Sequence, residues 1–206
     1  MSRRLVNLTL DTLEDLPRPC RQCVYWELDP VSAERACASG DPGLEKEAWV
    51  SQTLLEWGSC GKLIYVDGMA AGYVMFAPPA YVPRSTGFPT SPVAADAVLL
   101  TTARVLPAHR GGGLGRMLVQ GMVRDLSRRG IRAVEAFGQA HPTPGADSCL
   151  VPSGFLLAVG FKTVRPHPRT PRLRLDVKST ASWREDVESA LERLRGSIKV
   201  PTLAPR

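Results

Sequence analysis

A cluster of glycines in the middle of the chain constrains its fold more than any other feature. Four of the five residues 111–115 are glycine, and they lie between an apolar strand-like segment ending at Val105 and an amphipathic helix beginning at Leu114. Glycine allows sharp turns and a close approach of ligand to backbone. A helix start adds unpaired N–H groups and a positive dipole end. The segment therefore predicts a phosphate-binding loop between a strand and a helix.

The spacing of these glycines excludes two common phosphate-binding loops. A P-loop requires a Lys-Ser or Lys-Thr pair after its last glycine, and no such pair follows here. The dinucleotide fingerprint Gly-x-Gly-x-x-Gly begins at Gly113 and Gly115, but Leu118 stands where the third glycine belongs. A glycine-rich connection that binds no ligand stays open as an alternative, which the flanking elements help to decide.

Hydrophobic periodicity indicates an alternation of strands and helices around the loop. The strand before it, the helix after it and the next strand form a unit that normally closes as a right-handed crossover between parallel strands. The patterns predict strands over Leu5–Leu10, Lys62–Val66, Met69–Phe76, Val93–Val105, Ile131–Phe137 and within Phe161–Val177, helices over Leu44–Trp57, Gly154–Val159 and from Leu114 to a stop at Gly130, and irregular loops over Ala77–Pro92 and Gly138–Pro152.

Two motifs resemble those of one known family. Residues 110–115, Arg-Gly-Gly-Gly-Leu-Gly, resemble the Arg/Gln-x-x-Gly-x-Gly/Ala signature of the GNAT superfamily of N-acetyltransferases. Residues 156–161 are similar to the segment in which a short helix of that family ends at Gly-Phe. The stretch Phe155–Leu175, the Cys20-x-x-Cys23 pair and a Tyr-Trp-Glu at 25–27 resemble a subgroup of uncharacterised bacterial members.

The resemblance implies a fold and a domain division. We expect an α/β protein with a GNAT fold, in which helices flank a central, mostly antiparallel sheet of six to seven strands. The sheet would contain one parallel strand pair at the cofactor site. Residues 1–177 would form the acetyltransferase domain, and residues 178–206 an appended helix and tail that pack on it.

The resemblance also implies acetyl-coenzyme A (acetyl-CoA) as cosubstrate. In this family, backbone amides of the glycine loop bind the pyrophosphate, and the preceding strand offers backbone groups to the pantetheine arm. Carried over by position, the cofactor-binding residues are Ala103, Arg104, Val105, Arg110, Gly111, Gly112, Gly113, Leu114, Gly115 and Arg116.

The catalytic groups of the family do not transfer to this sequence. The long strand has no glutamate to act as general base, and Leu156 stands where a tyrosine would protonate the departing thiolate. We nominate Glu135 as a base and Cys149 as a proton donor or acyl acceptor, with a structural carboxylate and a buried inert thiol as the alternatives. Tyr81 and Arg84, in the first irregular loop, are candidates for the acceptor cleft.

Composition limits the other possibilities. The net charge of +6 suits a phosphate-rich cosubstrate, and the sequence has no recognisable nucleic-acid motif, so we expect no nucleic-acid partner. The chain lacks an apolar run of about 18 residues and an N-terminal apolar segment, so we expect a cytoplasmic protein without a membrane span. Five cysteines, an odd number, favour free thiols. Cys20 and Cys23 lack a second ligand pair, so we expect no metal site.

The sequence thus predicts an acetyl-CoA-dependent N-acyltransferase in which an acceptor amine attacks the thioester directly, since proximity alone accelerates such a reaction. The acceptor is not readable from the sequence, nor is the choice between a monomer and a homodimer. The alternative function is a GNAT-fold sensor or interaction protein that binds CoA with little or no catalysis, and the missing glutamate and tyrosine favour it.

Overall fold

The Asp67-Gly68 pair turns the chain between two central strands. Both residues have positive φ, 49° and 86°, as a two-residue hairpin of the primed type requires. The strands that the pair joins, Gly61–Val66 and Met69–Ala77, agree with the predicted hairpin to within one residue at each end.

The computed structural model describes residues 2–142 and 148–177, so the predicted C-terminal helix and tail over 178–206 lie outside the described residues. The strands are β1 (Arg3–Asn7), β2 (Gly61–Val66), β3 (Met69–Ala77), β4 (Ala97–Val105), β5 (Ala133–Gln139), β6 (Val151–Pro152), β7 (Lys162–Arg165) and β8 (Arg172–Asp176). The helices are α1 (Leu10–Leu13), α2 (Arg18–Arg21), α3 (Pro30–Ser39), α4 (Pro42–Glu56), α5 (Leu114–Arg128) and α6 (Ser153–Ala158). Short 3₁₀ helices span Pro79–Tyr81, Pro83–Gly87 and Pro107–His109.

The strands form one mixed sheet, which confirms the predicted fold class. Their order is β1-β2-β3-β4-β5-β8-β7, with β6 pairing to β5. Strands β4 and β5 run parallel, as predicted for the unit around the glycine loop, and the remaining pairs of the main path are antiparallel. The described residues thus form eight strands, against an expectation of six to seven, because the second irregular loop contains the two-residue strand β6.

The two faces of the sheet bury different sets of residues. On β2, Ile64 and Val66 face the cluster that contains α5, while Leu63 and Tyr65 face the cluster that contains the N-terminal helices. This alternation is the period of a strand with both faces covered. Helix α5 contributes Leu118, Met122 and Leu126, all fully buried, at the spacing that places them on one side.

Two N-terminal segments differ from the sequence-based expectation. The first strand ends at Asn7 rather than Leu10, because Thr9 caps α1 through reciprocal hydrogen bonds with Thr12. The segment 16–39, which periodicity left unassigned, contains α2 and α3, and the side chain of Asp29 caps α3. In the described part of the chain, no helix combines the length and apolar character needed to cross a bilayer.

Gly72 lets β3 approach the end of β4, immediately before the glycine loop. A Cβ at this position would lie 2.6 Å from the carbonyl oxygen of Arg104 and 3.1 Å from the Cα of Val105. Both atoms belong to the backbone, so they cannot make room for the methyl group unless β3 and β4 move apart. We therefore expect Gly72→Ala to lower the free energy of unfolding by about 1–3 kcal/mol in urea denaturation.

The matched control is Gly87→Ala, since a Cβ there meets nothing within 4 Å. We expect that variant to stay within about 0.5 kcal/mol of the unsubstituted protein. Equal stability of the two variants would contradict this account of Gly72.

Candidate active site

A cleft opens where the two parallel strands separate. Strands β4 and β5 pair only over Ala97–Leu99 and Ala133–Glu135, although β4 continues to Val105. An irregularity in the β3–β4 register leaves Thr101 as the extra residue of β4, and its buried hydroxyl donates a hydrogen bond to the carbonyl of Met75. Bulges of this kind are common beside active sites, where they bend a strand. The resulting cleft has a volume of about 830 Å³.

The glycine loop forms one end of this cleft. Gly111 and Gly113 have φ of 81° and 76°, in the left-handed region that favours glycine. An added Cβ at either residue would meet nothing within 4 Å, so the backbone there faces open space. The first helical hydrogen bond of α5 joins the amide of Met117 to the carbonyl of Gly113, which leaves the earlier amides of the helix without an intrahelical acceptor. The loop therefore fits a diphosphate group bound by backbone amides.

Most of the residues expected at a cofactor site lie along the cleft. The guanidinium of Arg110 donates to the carbonyl of Val105 at 3.2 Å, and that of Arg116 donates to the carbonyl of Ala158 at 3.0 Å. Both arginines are thereby held beside the loop. Gly112 is exposed in the same loop. The cleft is lined by Ala103, Arg104, Val105, Arg110, Gly111, Gly113, Leu114, Gly115 and Arg116.

Comparison with known proteins identifies the family. The family model described as "Acetyltransferase (GNAT) family" matches residues 11–149. The chain belongs to the GNAT acetyltransferase family. No curated protein matches the chain significantly.

Solved structures share the fold of this GNAT protein at low sequence identity. The PaiA N-acetyltransferase from Thermoplasma acidophilum, in complex with coenzyme A, has a TM-score of 0.57 at 13% identity and covers 85% of this chain and 99% of its own. An N-acetyltransferase from Staphylococcus aureus Mu50 has a TM-score of 0.56 at 13% identity, over 86% of this chain and 99% of its own. YncA from Salmonella typhimurium, with its cofactor acetyl-CoA, has a TM-score of 0.55 at 14% identity, over 86% and 95%.

Glu135 is held by ion pairs and is not among the residues that line the cleft. Its buried carboxylate accepts hydrogen bonds from Arg172 at 2.5 Å, from Arg174 at 3.4 Å and from the amide of Ala94 at 3.1 Å. Arg174 also binds Asp96, and this contact holds the pKa of Asp96 below its usual value. The geometry disfavours the sequence-based interpretation of Glu135 as a base, because two arginines occupy its oxygens.

Tyr81 and Arg84 are likewise not among the cleft-lining residues. The hydroxyl of Tyr81 binds the carboxylate of Glu56 at 3.1 Å, and its carbonyl accepts a hydrogen bond from Trp49 at 2.7 Å. The guanidinium of Arg84 lies 4.4 Å from the ring centroid of Tyr25. The Tyr81 side chain therefore contacts α4 and the Arg84 side chain contacts the segment between α2 and α3, and the structure does not bring either to the cofactor loop.

Cys149 does line the cleft, and its Sγ lies 3.4 Å from the Sγ of Cys23. This contact joins residues 126 positions apart in sequence. The hydrogen bond from Cys149 lowers the pKa of Cys23 to about 6, and the same bond raises the pKa of Cys149. The cleft therefore holds one thiol that favours the thiolate form beside one that favours the protonated form.

Two buried side chains fix the backbones of this thiol pair. The indole of Trp26 donates to the carbonyl of Cys149 at 2.8 Å. Lys46 donates to the carbonyl of Cys23 at 3.0 Å and forms an ion pair with Glu27, with both charged groups buried. A buried charge is tolerated only when it is paired, so this ion pair holds Lys46 in place.

Sequence analysis missed the contributions of Cys23, Trp26, Lys46 and Tyr73 to the cleft. The first two belong to the Cys-x-x-Cys and Tyr-Trp-Glu motifs, which by themselves indicate no role in the cleft, whereas nothing in the sequence marks Lys46 or Tyr73. Burial raises the pKa of Tyr73, whose hydroxyl also bonds to Cys20. Within residues 2–142 and 148–177, no group of three or more His, Cys, Asp or Glu side chains is placed to hold a metal ion.

We expect Glu135→Gln to act on stability rather than on the cleft. Removing the charge leaves Arg172 and Arg174 without their buried counter-ion, so the free energy of unfolding should fall by about 3 kcal/mol. Asp96→Asn is the control, because it removes the same charge from a partner of Arg174 whose side chain is 42% exposed, and should cost under about 1 kcal/mol. Unchanged stability of Glu135→Gln with loss of turnover would instead restore the general-base interpretation.

Proposed function

We propose that this GNAT protein is an N-acyltransferase that uses acetyl-CoA as its acyl donor. The observation that carries the proposal is a continuous cleft. It joins the glycine loop to the part of β4 that extends beyond its pairing with β5. A loop of backbone amides suits the diphosphate, and an open strand edge suits an extended chain that contains amides. The pantetheine arm of CoA is such a chain.

The proposed donor site follows from these elements. Amides of residues 111–115 and the charge of Arg116 bind the diphosphate through charge-assisted hydrogen bonds, which are roughly twice as strong as neutral ones. The backbone of Ala103–Val105 binds the pantetheine arm as a neighbouring strand would. This arrangement directs the thioester away from the loop, toward the part of the cleft lined by Tyr73, Met75 and Cys149.

In its simplest form the reaction has one chemical step. A neutral amine attacks the thioester carbonyl directly, and backbone amides of β4 stabilise the oxyanion. Cys149 protonates the departing thiolate, in place of the tyrosine that Leu156 replaces. The substrate class is a primary amine, and the soluble CoA donor requires no membrane or nucleic acid.

A second candidate function is CoA binding without turnover, as a sensor or interaction protein. Two observations favour it. Leu156 is completely buried in the core, so no hydroxyl replaces the missing tyrosine at that position. Among the described residues that line the cleft, none is an aspartate or a glutamate.

Release of free thiol from acetyl-CoA separates the two functions. We expect steady release, in excess of the enzyme concentration, when a panel of amines is supplied: amino acids, polyamines, aminoglycosides and peptides with free N-termini or lysines. The measurement is absorbance with a thiol reagent that is added after the reaction is quenched with acid, the precipitated protein is removed and the solution is neutralised, so that the enzyme's own cysteines do not contribute. Tight CoA binding in calorimetry with no release for any amine would favour the sensor.

The donor site is tested by Gly113→Glu. This substitution places a side chain in the open space above the loop and a negative charge beside the diphosphate. Loss of two or more charge-assisted bonds should weaken CoA binding by roughly 100-fold or more, as measured by calorimetry.

Gly87→Glu adds the same charge in an exposed position outside the cleft, and we expect it to bind CoA normally. Undiminished affinity of Gly113→Glu would refute the placement of the diphosphate.

A further inference from the structure

Three thiols from two segments that are distant in sequence line the cleft. Cys20 and Cys23 come from the segment around α2, and Cys149 comes from the segment before β6. The guanidinium of Arg104, on β4, donates to the Sγ of Cys20 at 3.2 Å. The thiol cluster therefore borders the same strand that leads to the glycine loop.

The Cys23–Cys149 contact is enforced by the packing around it. Trp26 holds the carbonyl of Cys149 and is itself stacked on Phe88, with ring centroids 5.3 Å apart. Lys46 holds the carbonyl of Cys23. Both thiols are only partly buried, so they combine fixed positions with access from the cleft.

The surroundings of Cys23 favour a nucleophile. A thiolate, not a thiol, attacks a carbonyl carbon, and Cys23 holds its pKa low through the hydrogen bond from Cys149, a backbone amide bond from Tyr25 and the charge of Lys46. Burial and the carboxylate of Glu27 act in the opposite direction. Cys60 provides the contrast, because complete burial raises its pKa to about 12.

We infer that Cys23 accepts the acyl group from the CoA thioester and passes it to the acceptor amine, with Cys149 as the proton donor and acceptor of the cycle. The inference rests on the proposed function for its acyl donor and replaces the single transfer by two. It extends the catalytic site to a residue of the N-terminal segment, far from the glycine loop in sequence.

The first step exchanges one thioester for another. The Cys23 thiolate attacks the carbonyl carbon, a new C–S bond forms to Sγ, and the C–S bond to CoA breaks. The departing CoA thiolate takes the proton of Cys149 and leaves as free thiol. Acylation removes the negative charge of Cys23. That charge had raised the pKa of Cys149, so Cys149 releases its proton more readily once Cys23 is acylated.

The second step restores both residues. A neutral amine attacks the Cys23 thioester, a C–N bond forms, and the C–S bond breaks to regenerate the Cys23 thiolate. The proton lost by the amine returns to Cys149. Atoms and charges balance over the two steps, and no metal, oxidant or further base is needed.

The test is isolation of the acyl-enzyme. The full-length protein, kept reduced with a phosphine, is mixed with acetyl-CoA without any amine and quenched in acid within one turnover. We expect one acetyl group per chain on Cys23 by peptide mass spectrometry, removed by neutral hydroxylamine as thioesters are, and released as amide when an amine is added. Steady-state kinetics should show the parallel lines of a ping-pong mechanism.

Variants assign the roles. Cys23→Ser should take up no hydroxylamine-labile acetyl group and should lose turnover by on the order of 10³-fold or more. Cys149→Ala should slow both steps by roughly 10²–10⁴-fold. Cys37→Ser, at an exposed cysteine, is the matched control and should behave as the unsubstituted protein.

The pH dependence of alkylation gives a readout besides turnover. Iodoacetamide reacts with the thiolate, so labelling of Cys23 should persist as the pH falls and be lost around its pKa of about 6. Cys149→Ala removes the main cause of that low pKa, so the midpoint of Cys23 alkylation should move to higher pH. The other groups that act on Cys23 are Lys46, Glu27, the backbone of Tyr25 and the side chain of Tyr73, and all are retained in that variant.

Three outcomes would overturn the inference: acetyl groups on Cys149 instead of Cys23, full turnover by Cys23→Ser, or intersecting kinetic lines without an acyl-enzyme. Calorimetry distinguishes these from failure of the proposed function. If CoA binds and amine is acetylated without Cys23, only the two-step path fails. If CoA does not bind, the proposed donor fails as well.

Discussion

The short pairing of two parallel strands is the constraint on which the rest of the site depends. Strands β4 and β5 hold together only over Ala97–Leu99 and Ala133–Glu135, and beyond this point the backbone groups of β4 lose that partner. An open strand edge is a template for another extended chain. The divergence also determines where the glycine loop lies, because β4 runs along the open edge before it reaches the loop. One break in strand pairing thus creates the cleft and places the phosphate-binding loop at its end.

The other wall of the cleft depends on a buried charge pair. Lys46 and Glu27 are both removed from water, and a single buried charge would be far more costly than the pair. The pair joins α4 to the segment after Cys23, and a further hydrogen bond from Lys46 holds the carbonyl of Cys23. Trp26, which lies between Cys23 and Glu27 in sequence, donates a hydrogen bond to the carbonyl of Cys149 in the segment before β6. Polar contacts therefore position two segments without regular secondary structure.

The fold was more predictable from the sequence than the site, for physical reasons. The hairpin at Asp67-Gly68, the parallel unit around the glycine loop and helix α5 all follow from local patterns of a few residues. The segment 16–39 was not predictable, because α2 and α3 are short and the segment is interrupted by prolines. The ion pairs of Glu135 were not predictable, because nothing in the sequence indicates that Arg172 and Arg174 face it from β8. The contact between Cys23 and Cys149 depends on tertiary packing over 126 residues, which no local pattern records.

The residues that line this cleft suit catalysis by a nucleophilic thiolate better than catalysis by a general base. The described lining has no carboxylate, and the position of the family's tyrosine is filled by Leu156, which packs in the core with α5. A thiolate with a pKa of about 6 is a much weaker base than an amine. It would therefore contribute little to catalysis by removing a proton from the amine. As a nucleophile toward a thioester it is well suited, since the bond that forms is of the same kind as the bond that breaks. Its neighbour Cys149 then needs to release a proton only while Cys23 carries no charge, and the electrostatic contact between the two sulfurs enforces that order.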